Sequence, residues 1–548
     1  MKHYNILGEL NVATINDQND LRRVVYDFLQ KNHKEVYDHT DRFRIILGDH
    51  DYYSTDVGDK LSIIQTACDE IDISRCFVEV VSTNPELEYE ARKIAKSADE
   101  SQRLSCMVID GEYSKIANDQ PTYSYSSQIP TKINLKDLSD RETHWLTESK
   151  TFCMYPWIHL NASPNGEAMP CCLWDYTVPM GSTKENTIQE LWNNDKWKEL
   201  RTSMMEGREH PGCVKCYGQE KAGFFSNRQS ANKHHGHHIK RVSDTRPDGT
   251  SDIFQLTYWD IRFSNLCNLS CRSCGHIFSS SWYQDQVRLA GQEWGRNNKA
   301  LFWAGRHETD MLEQLMQHID YVEQVYFAGG EPLMMEEHYQ ILEELERQKK
   351  FNVRLVYNTN FTKTKLKDRY VFDYWRKFDS VGVGASLDAM GPRAEYIRKG
   401  TKWSDVERNR RMMMEQCPDV DFYISPTLSI QNALHLPDFH REWVDKGLLR
   451  PQDLNVNLLQ DPRWLRADIA TPGYKKKIVE KYQKHLEWLR PQDPLQRATQ
   501  GFESAIRFIE SEDRSDLLPE FWERMAQLDE FRKENLLEVI PELHELAQ

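Results

Sequence analysis

Asn265-Leu266-Cys267-Asn268-Leu269-Ser270-Cys271-Arg272-Ser273-Cys274 sets three cysteines in one short loop with the spacing C-x3-C-x2-C. A four-iron, four-sulfur cluster normally takes four cysteine ligands. Three thiolates leave one iron of such a cluster free to bind something else, and that iron is where chemistry can happen. Zinc is the other reading of clustered cysteines, but it prefers a closed tetrahedron of four ligands. What surrounds the loop has to decide.

Working outward, apolar strand candidates recur at residues 254–263, 324–327, 353–357, 380–385, 421–428 and 453–459, with helical segments such as 336–349 and 404–415 between most of them. Repeated strand-then-helix units of this size build a barrel or partial barrel whose reactive residues sit at strand C-termini. The cysteine loop directly follows the first of these strands. After the second comes Gly329-Gly330-Glu331-Pro332, where two glycines allow close backbone approach to a ligand and Glu331 offers an acceptor for a ligand ammonium. The third strand ends in Thr359 and Asn360, followed by Phe361. The fourth ends at Ser386 with Asp388 just beyond, and Arg398-Lys399-Gly400 follows.

Together these motifs, over about residues 254–465, resemble the radical S-adenosylmethionine (radical SAM) enzymes. The resemblance implies an α/β fold built on a partial (βα)6 TIM-like barrel. It implies a [4Fe-4S] cluster on Cys267, Cys271 and Cys274, with S-adenosylmethionine chelating the open iron through its amine and carboxylate. Gly329, Gly330, Glu331, Pro332, Thr359, Asn360, Ser386, Asp388 and Arg398 are the implied cofactor contacts. Glu331 would hold the amine, Arg398 would pair with the carboxylate, and Ser386 and Asp388 would approach the ribose or methionyl part. Reductive cleavage would then give methionine and a 5′-deoxyadenosyl radical that takes hydrogen from a substrate held in near contact. Thr427, Ser429 and Asn432 are weaker candidates for the same pocket, and Asn457, Gln460 and Asp461 for the substrate side. Two departures from the family pattern stand out: Phe361 replaces a glycine after Thr-Asn, and Ser273 replaces an aromatic or apolar residue.

Ahead of the barrel, Cys153, Gly166 and Cys171 make the pattern C-x12-G-x4-C, Cys172 follows at once, and Cys213 and Cys216 form a C-x2-C pair. This resembles the SPASM and twitch auxiliary-cluster domains, and the short set fits one cluster of the twitch type. The implied ligands are Cys153, Cys171 or Cys172, Cys213 and Cys216. Such domains usually follow the barrel, whereas this one precedes it. Four cysteines also suit a structural zinc ion, and spacing alone does not separate the two.

The rest of the chain bounds the reading. At 548 residues it is too long for one core. The expected domains are a small N-terminal α/β domain (1–118), a linker (119–149), the cysteine-rich unit (150–232), a linker carrying a histidine run (233–252), the barrel (253–467) and a helical C-terminal region (468–548). In the first domain, strands are expected near 4–10, 43–47, 76–81 and 105–109, with helices near 20–34, 60–70 and 84–95; Asp49, His50 and Asp51 form a polar cluster there. A net charge of −15 argues against nucleic acid as the main partner. No apolar run approaches the roughly 20 residues of a membrane helix. Eight of the twelve cysteines fall in the two metal-type groups, which reads as a reducing cytoplasm. Cys68, Cys76, Cys106 and Cys417 read as inert buried thiols.

The expectation is therefore an enzyme acting on a peptide, a protein side chain or a small molecule. An external low-potential donor such as flavodoxin or ferredoxin would supply electrons, and the auxiliary [4Fe-4S] cluster would accept one. The N-terminal domain would present a peptide or a docking partner. The alternative is a non-catalytic zinc or iron–sulfur scaffold.

Overall fold

The computed structural model describes residues 5–11, 18–32, 41–46, 77–82, 104–108, 132–221, 225–493 and 496–547. They fall into two compact units. The first comprises Met1–His159, Pro170–Met180 and Gln189–Gln255; the second comprises Leu160–Met169, Gly181–Ile188 and Leu256–Gln548.

The first unit opens with a four-stranded parallel sheet, β1 (Asn5–Asn11), β2 (Asp41–Ile46), β3 (Phe77–Ser82) and β4 (Leu104–Val108), in that order. The helix Gln18–Asn32 buries Leu21, Val25 and Leu29, one residue per turn, as an amphipathic helix against a sheet should. The expected parallel α/β character holds. The helices expected near 60–70 and 84–95, the Asp49–Asp51 cluster and the thiols of Cys68, Cys76 and Cys106 lie outside the described residues.

Both segments expected as linkers carry structure in their described parts. Ser139 caps Asp140–Thr143 in a capping box with Glu142, and Trp145 and Leu146 of the next turn are buried. Glu142 is itself buried and accepts from Lys240 Nζ (2.8 Å) and Ser243 Oγ (2.7 Å). Those two donors belong to the expected histidine-bearing linker, which begins inside helix Asn227–His235 and stays helical over Gly236–His238 and Lys240–Ser243. Its polar composition misled, because Ile239 and Val242 are fully buried and His235 is buried with them.

The second unit is built on a seven-stranded sheet. Its strands are β5 (His159–Ala162), β6 (Ala168–Met169), β7 (Tyr258–Ile261), β8 (Gln324–Phe327), β9 (Arg354–Thr359), β12 (Val381–Ala385) and β13 (Asp421–Ile424). The order is β13-β12-β9-β8-β7-β5-β6, and β7 to β13 pair in parallel with successive strands adjacent. A hairpin of β10 (Lys365–Leu366) and β11 (Arg369–Tyr370) lies between β9 and β12 in the chain. Beyond β13 the parallel pairing continues as β14 (Thr427–Leu428) with β15 (Asn457–Leu458). The six strands expected from periodicity are thus found, several shorter than expected.

Beside β7 the sheet continues through β5 and β6, which the sequence had placed in the cysteine-rich domain. Asn161 Nδ2 donates to Asp260 O at 3.0 Å and Arg262 N to Ala162 O at 3.0 Å. That bonding draws Leu160–Met169 out of the expected domain, since an edge strand left unpaired would leave backbone groups unsatisfied. Helices Pro472–Leu489, Arg497–Ser511 and Leu518–Arg532 complete the unit, with Phe502, Ile509, Leu528 and Leu536 buried as expected and Trp488 and Ile506 half-buried. No helix among the described residues is long and apolar enough to cross a membrane.

Candidate functional site

In the second unit the C-terminal ends of β7, β8, β9 and β12 open into one cavity of about 1900 Å³. Cys267, Cys271 and Cys274 all line it. Asn265, fully buried, holds the root of their loop: Nδ2 donates to His276 O (2.9 Å) and Ala300 O (3.0 Å), and Oδ1 accepts from Phe302 N. Ser270 N and Arg272 N donate to Lys399 O and Ile397 O, and Trp282 Nε1 donates to Cys271 O at 2.8 Å. The loop is therefore fixed by hydrogen bonds from three directions.

The two glycines after β8 solve a packing problem inside the protein. A Cβ on Gly330 would sit 2.1 Å from Leu266 O, and Gly329 has φ +123° with its would-be Cβ 3.1 Å from Arg262 Cβ. Glu331 N donates to Leu266 O at 2.7 Å. The close approach that the sequence assigned to a ligand is thus made to the cysteine loop itself, while the same glycines also line the cavity. Glu331 also departs from expectation. It is fully buried, and its oxygens accept from Thr359 Oγ1 (2.6 Å), Asn360 N (2.7 Å) and Leu333 N (3.2 Å). Burial outweighs these donors and raises its carboxyl to about 7. It ties the ends of β8 and β9 together rather than standing free for a ligand amine. Pro332 starts the short helical turn that follows and is buried.

Thr359 and Asn360 reach the cavity, where Asn360 Nδ2 donates to Asn268 Oδ1 (3.0 Å) and lies 3.9 Å from Cys267 Sγ. Phe361 keeps the left-handed backbone that a glycine would take there, at φ +58°, and is fully buried against Phe422. Ser386 and Arg398 line the cavity too, but Asp388 is buried behind them. It accepts both Nε (2.8 Å) and Nη2 (3.0 Å) of Arg398 and the Thr427 N–H (2.8 Å). Asp388 therefore orients Arg398 rather than meeting a ribose, and Arg398 Nη1 points to Cys271 Sγ at 3.8 Å. Ser429 and Asn432 are buried in a turn, Asn432 bridging Ser429 N, Asp388 O and Thr427 O. Of the substrate-side candidates Asp461 lines the cavity; Asn457 is exposed and Gln460 accepts from Arg466.

The cavity also has walls that sequence reading missed. Residues 276–308 supply aromatic faces in Trp294, Phe302 and Trp303, and Leu518–Arg532 supplies Arg524, Gln527 and Leu528. Lys184 arrives from the cysteine-rich stretch, its Nζ 5.3 Å from the Phe302 ring centroid. A signal for it existed. Gly166, the glycine of C-x12-G-x4-C, has φ +91°, and a Cβ there would lie 2.6 Å from Lys184 Cγ.

In the first unit Cys153, Cys171, Cys213 and Cys216 line one small enclosed cavity. Cys171 is thus the member of the 171–172 pair that faces the other three. The Arg228 and Asn227 backbone N–H groups donate to the Cys216 sulfur at the start of helix Asn227–His235. Arg228 is itself held by Glu220 (2.6 and 2.8 Å) and by the carbonyls of Ser149 and Phe152. Cys417 is buried apart from both groups and donates to Phe372 O, as an inert thiol.

Both thiol sets suit metal. Burial pushes the Cys267, Cys274 and Cys213 thiols up to about 12 and raises Cys153, Cys171, Cys216 and Cys271 as well. Left alone they stay neutral thiols; a cation among them makes the thiolates favourable. Sulfur-only donors select iron–sulfur clusters or zinc over harder ions.

Residues 153–217 match the family model of SPASM, an iron-sulfur cluster-binding domain. The matched stretch holds all five cysteines of the pre-barrel group, so the SPASM-type unit expected ahead of the barrel is present. No curated protein matches the chain. Among solved structures it is similar to "Native anSMEcpe with bound AdoMet and Cp18Cys peptide" at 19% identity and TM-score 0.30, over 42% of this chain and 60% of that one. It is similar to "Structure of TYW1 with a lysine-pyruvate adduct bound" at 14% identity and TM-score 0.23, over 43% and 72%. The chain thus spans 60% of the first of these structures.

Proposed function

We propose that this protein is a radical SAM enzyme with one auxiliary iron–sulfur cluster, and that it removes hydrogen from a peptide, a protein side chain or a small molecule. One observation carries the reading. Three cysteines, Cys271 buried and Cys267 and Cys274 half-buried, share a cavity with Gly329, Gly330, Thr359, Asn360, Ser386 and Arg398 at the ends of adjacent parallel strands. We read the sheet as the partial (βα)6 barrel that the motifs imply. Cys267, Cys271 and Cys274 would hold a [4Fe-4S] cluster, and Cys153, Cys171, Cys213 and Cys216 a second one. Bound there, the first cluster with S-adenosylmethionine would supply a 5′-deoxyadenosyl radical for attack on an unactivated C–H bond.

The chain's own residues do the rest. Arg398, fixed bidentately by Asp388, offers a charged donor for a carboxylate. Asn360 and the glycine backbone shape the cofactor wall, and Glu331 keeps the strand ends in register. Trp294, Phe302 and Trp303 contribute apolar faces to the outer wall. Full ligation of the second cluster by four cysteines suits it to accept an electron from the substrate. Flavodoxin or ferredoxin would supply the first electron, in a cytoplasm reducing enough to keep the thiols free.

Anaerobic reconstitution tests this. The expected result is about eight irons per chain, with 5′-deoxyadenosine formed from S-adenosylmethionine under strong reductant. Zinc alone, or a loaded chain that leaves S-adenosylmethionine intact, would overturn it. With deuterated candidate substrates, label appearing in 5′-deoxyadenosine identifies the bond attacked.

A further inference from the structure

Arg272 stands between the second and third cysteines of the loop, and its side chain is fully buried. Its guanidinium lies 3.7 Å from the Tyr396 ring centroid. Nη2 donates to Asp529 Oδ1 at 2.5 Å and to Glu534 Oε2 at 2.7 Å, and Nε donates to Tyr396 O at 3.2 Å. Both carboxylates come from the C-terminal region, more than 250 residues away in the chain. Each is a junction. Asp529 also accepts from Tyr396 Oη (2.8 Å) and Leu536 N (2.7 Å), and Glu534 from Lys399 Nζ (2.7 Å). Lys399 and Ile397 are the residues whose carbonyls receive the loop amides of Ser270 and Arg272.

Helical periodicity makes one element serve two purposes. Along Leu518–Arg532, Met525, Asp529 and Arg532 recur at i, i+4 and i+7 and face the cysteine loop. Met525 Sδ lies 3.6 Å from Arg272 Nη1, and Arg532 bonds Asp285 while covering the Trp282 ring. Arg524, Gln527 and Leu528, at i, i+3 and i+4, line the cavity instead.

We propose that helix Leu518–Arg532, with Glu534 just beyond its end, is a positioning element for the cysteine loop, acting through Arg272, so that the segment walling the cavity also sets the placement and charge environment of Cys271 and Cys274. This rests on the radical SAM reading for the identity of what the loop holds. The contacts themselves belong to the chain. A buried guanidinium matched by two carboxylates holds geometry only while both sides are present, because removing one strands the other's charge. Removing the cation and removing the anions therefore have opposite electrostatic consequences for a nearby cluster.

The full chain with Arg272→Met, Arg272→Lys, or Asp529→Asn with Glu534→Gln is the test, read in two ways. In the metal-free protein, hydrogen exchange at the Ser270 and Arg272 amides should speed up at least tenfold in the Met and Asn/Gln variants and less in the Lys variant. After reconstitution, the reduction potential of the barrel cluster should move down in Arg272→Met and up in the Asn/Gln variant. Unchanged loop exchange overturns the proposal, as do potential shifts that vanish or share one sign, which mere loosening would give. A wild-type triad that takes no iron, alongside altered exchange, instead overturns the parent reading and the cluster half of this one.

Discussion

At the residue scale, Phe361 shows how one position reconciles two demands. Its left-handed backbone costs a non-glycine residue about 1 kcal/mol or more, and full burial of an aromatic ring returns about 3–5 kcal/mol on truncation scales. Phe361→Gly and Phe361→Ala should both lower the melting temperature, with the glycine variant the less damaged of the two. That ordering reverses the usual helix and strand preference and is read directly by thermal unfolding. His440 and His485 make a second case. They share a hydrogen bond of 2.9 Å in a buried aromatic setting, and burial holds both imidazoles well below their ordinary value. Both are neutral when folded, while the unfolded chain takes up their protons below about pH 6.5. Their contribution is therefore complete above that pH and is lost as pH falls, by up to about 1.4 kcal/mol per unit for each group. His440→Gln with His485→Gln should flatten the decline in melting temperature between pH 7 and 5.

At the element scale, strand ends and loops are tied to one another by side chains rather than by the sheet. Glu331 joins β8 to β9, Asp388 joins the segment after β12 to β14, and Arg272 joins the cysteine loop to helix Leu518–Arg532. The Arg272 pairings are buried and doubly anchored. Arg272→Met should destabilise the second unit by about 3–5 kcal/mol, measured by denaturant unfolding of the metal-free chain. Arg272→Lys, which keeps the charge without the fork, should cost less.

At the scale of the whole molecule, the two thiol groups sit in separate compact units, each with its own buried anchors. Loss of one should spare the other. Cys213→Ala with Cys216→Ala is expected to reduce reconstituted iron from about eight to about four per chain while 5′-deoxyadenosine formation without substrate persists. Substitution of Cys267 and Cys271 should abolish that formation and leave the other four irons in place. Iron and sulfide analysis beside product chromatography checks both.

What was legible beforehand was whatever residue type alone dictates. Only cysteine supplies thiolate, so C-x3-C-x2-C and the five cysteines from Cys153 to Cys216 could be seen without a fold. Strand-then-helix periodicity likewise announced six parallel strands and a small parallel sheet before them. Composition failed where polar residues are used inside: Glu142 and His235 made buried segments look like linkers. Roles were not legible where burial and pairing decide them. Glu331 and Asp388 carry the right chemistry for a ligand, but the fold spends it on Thr359, Asn360 and Arg398. Arg272 meets Asp529, and Gly166 makes room for Lys184, only once the second unit has folded. Sequence by itself determined that the chain offers two sulfur-only ligand sets, because ligand identity is a property of single side chains. Tertiary structure decided which charged groups face the cavity and which are consumed holding it open, because burial and pairing are properties of neighbours that the linear order does not contain.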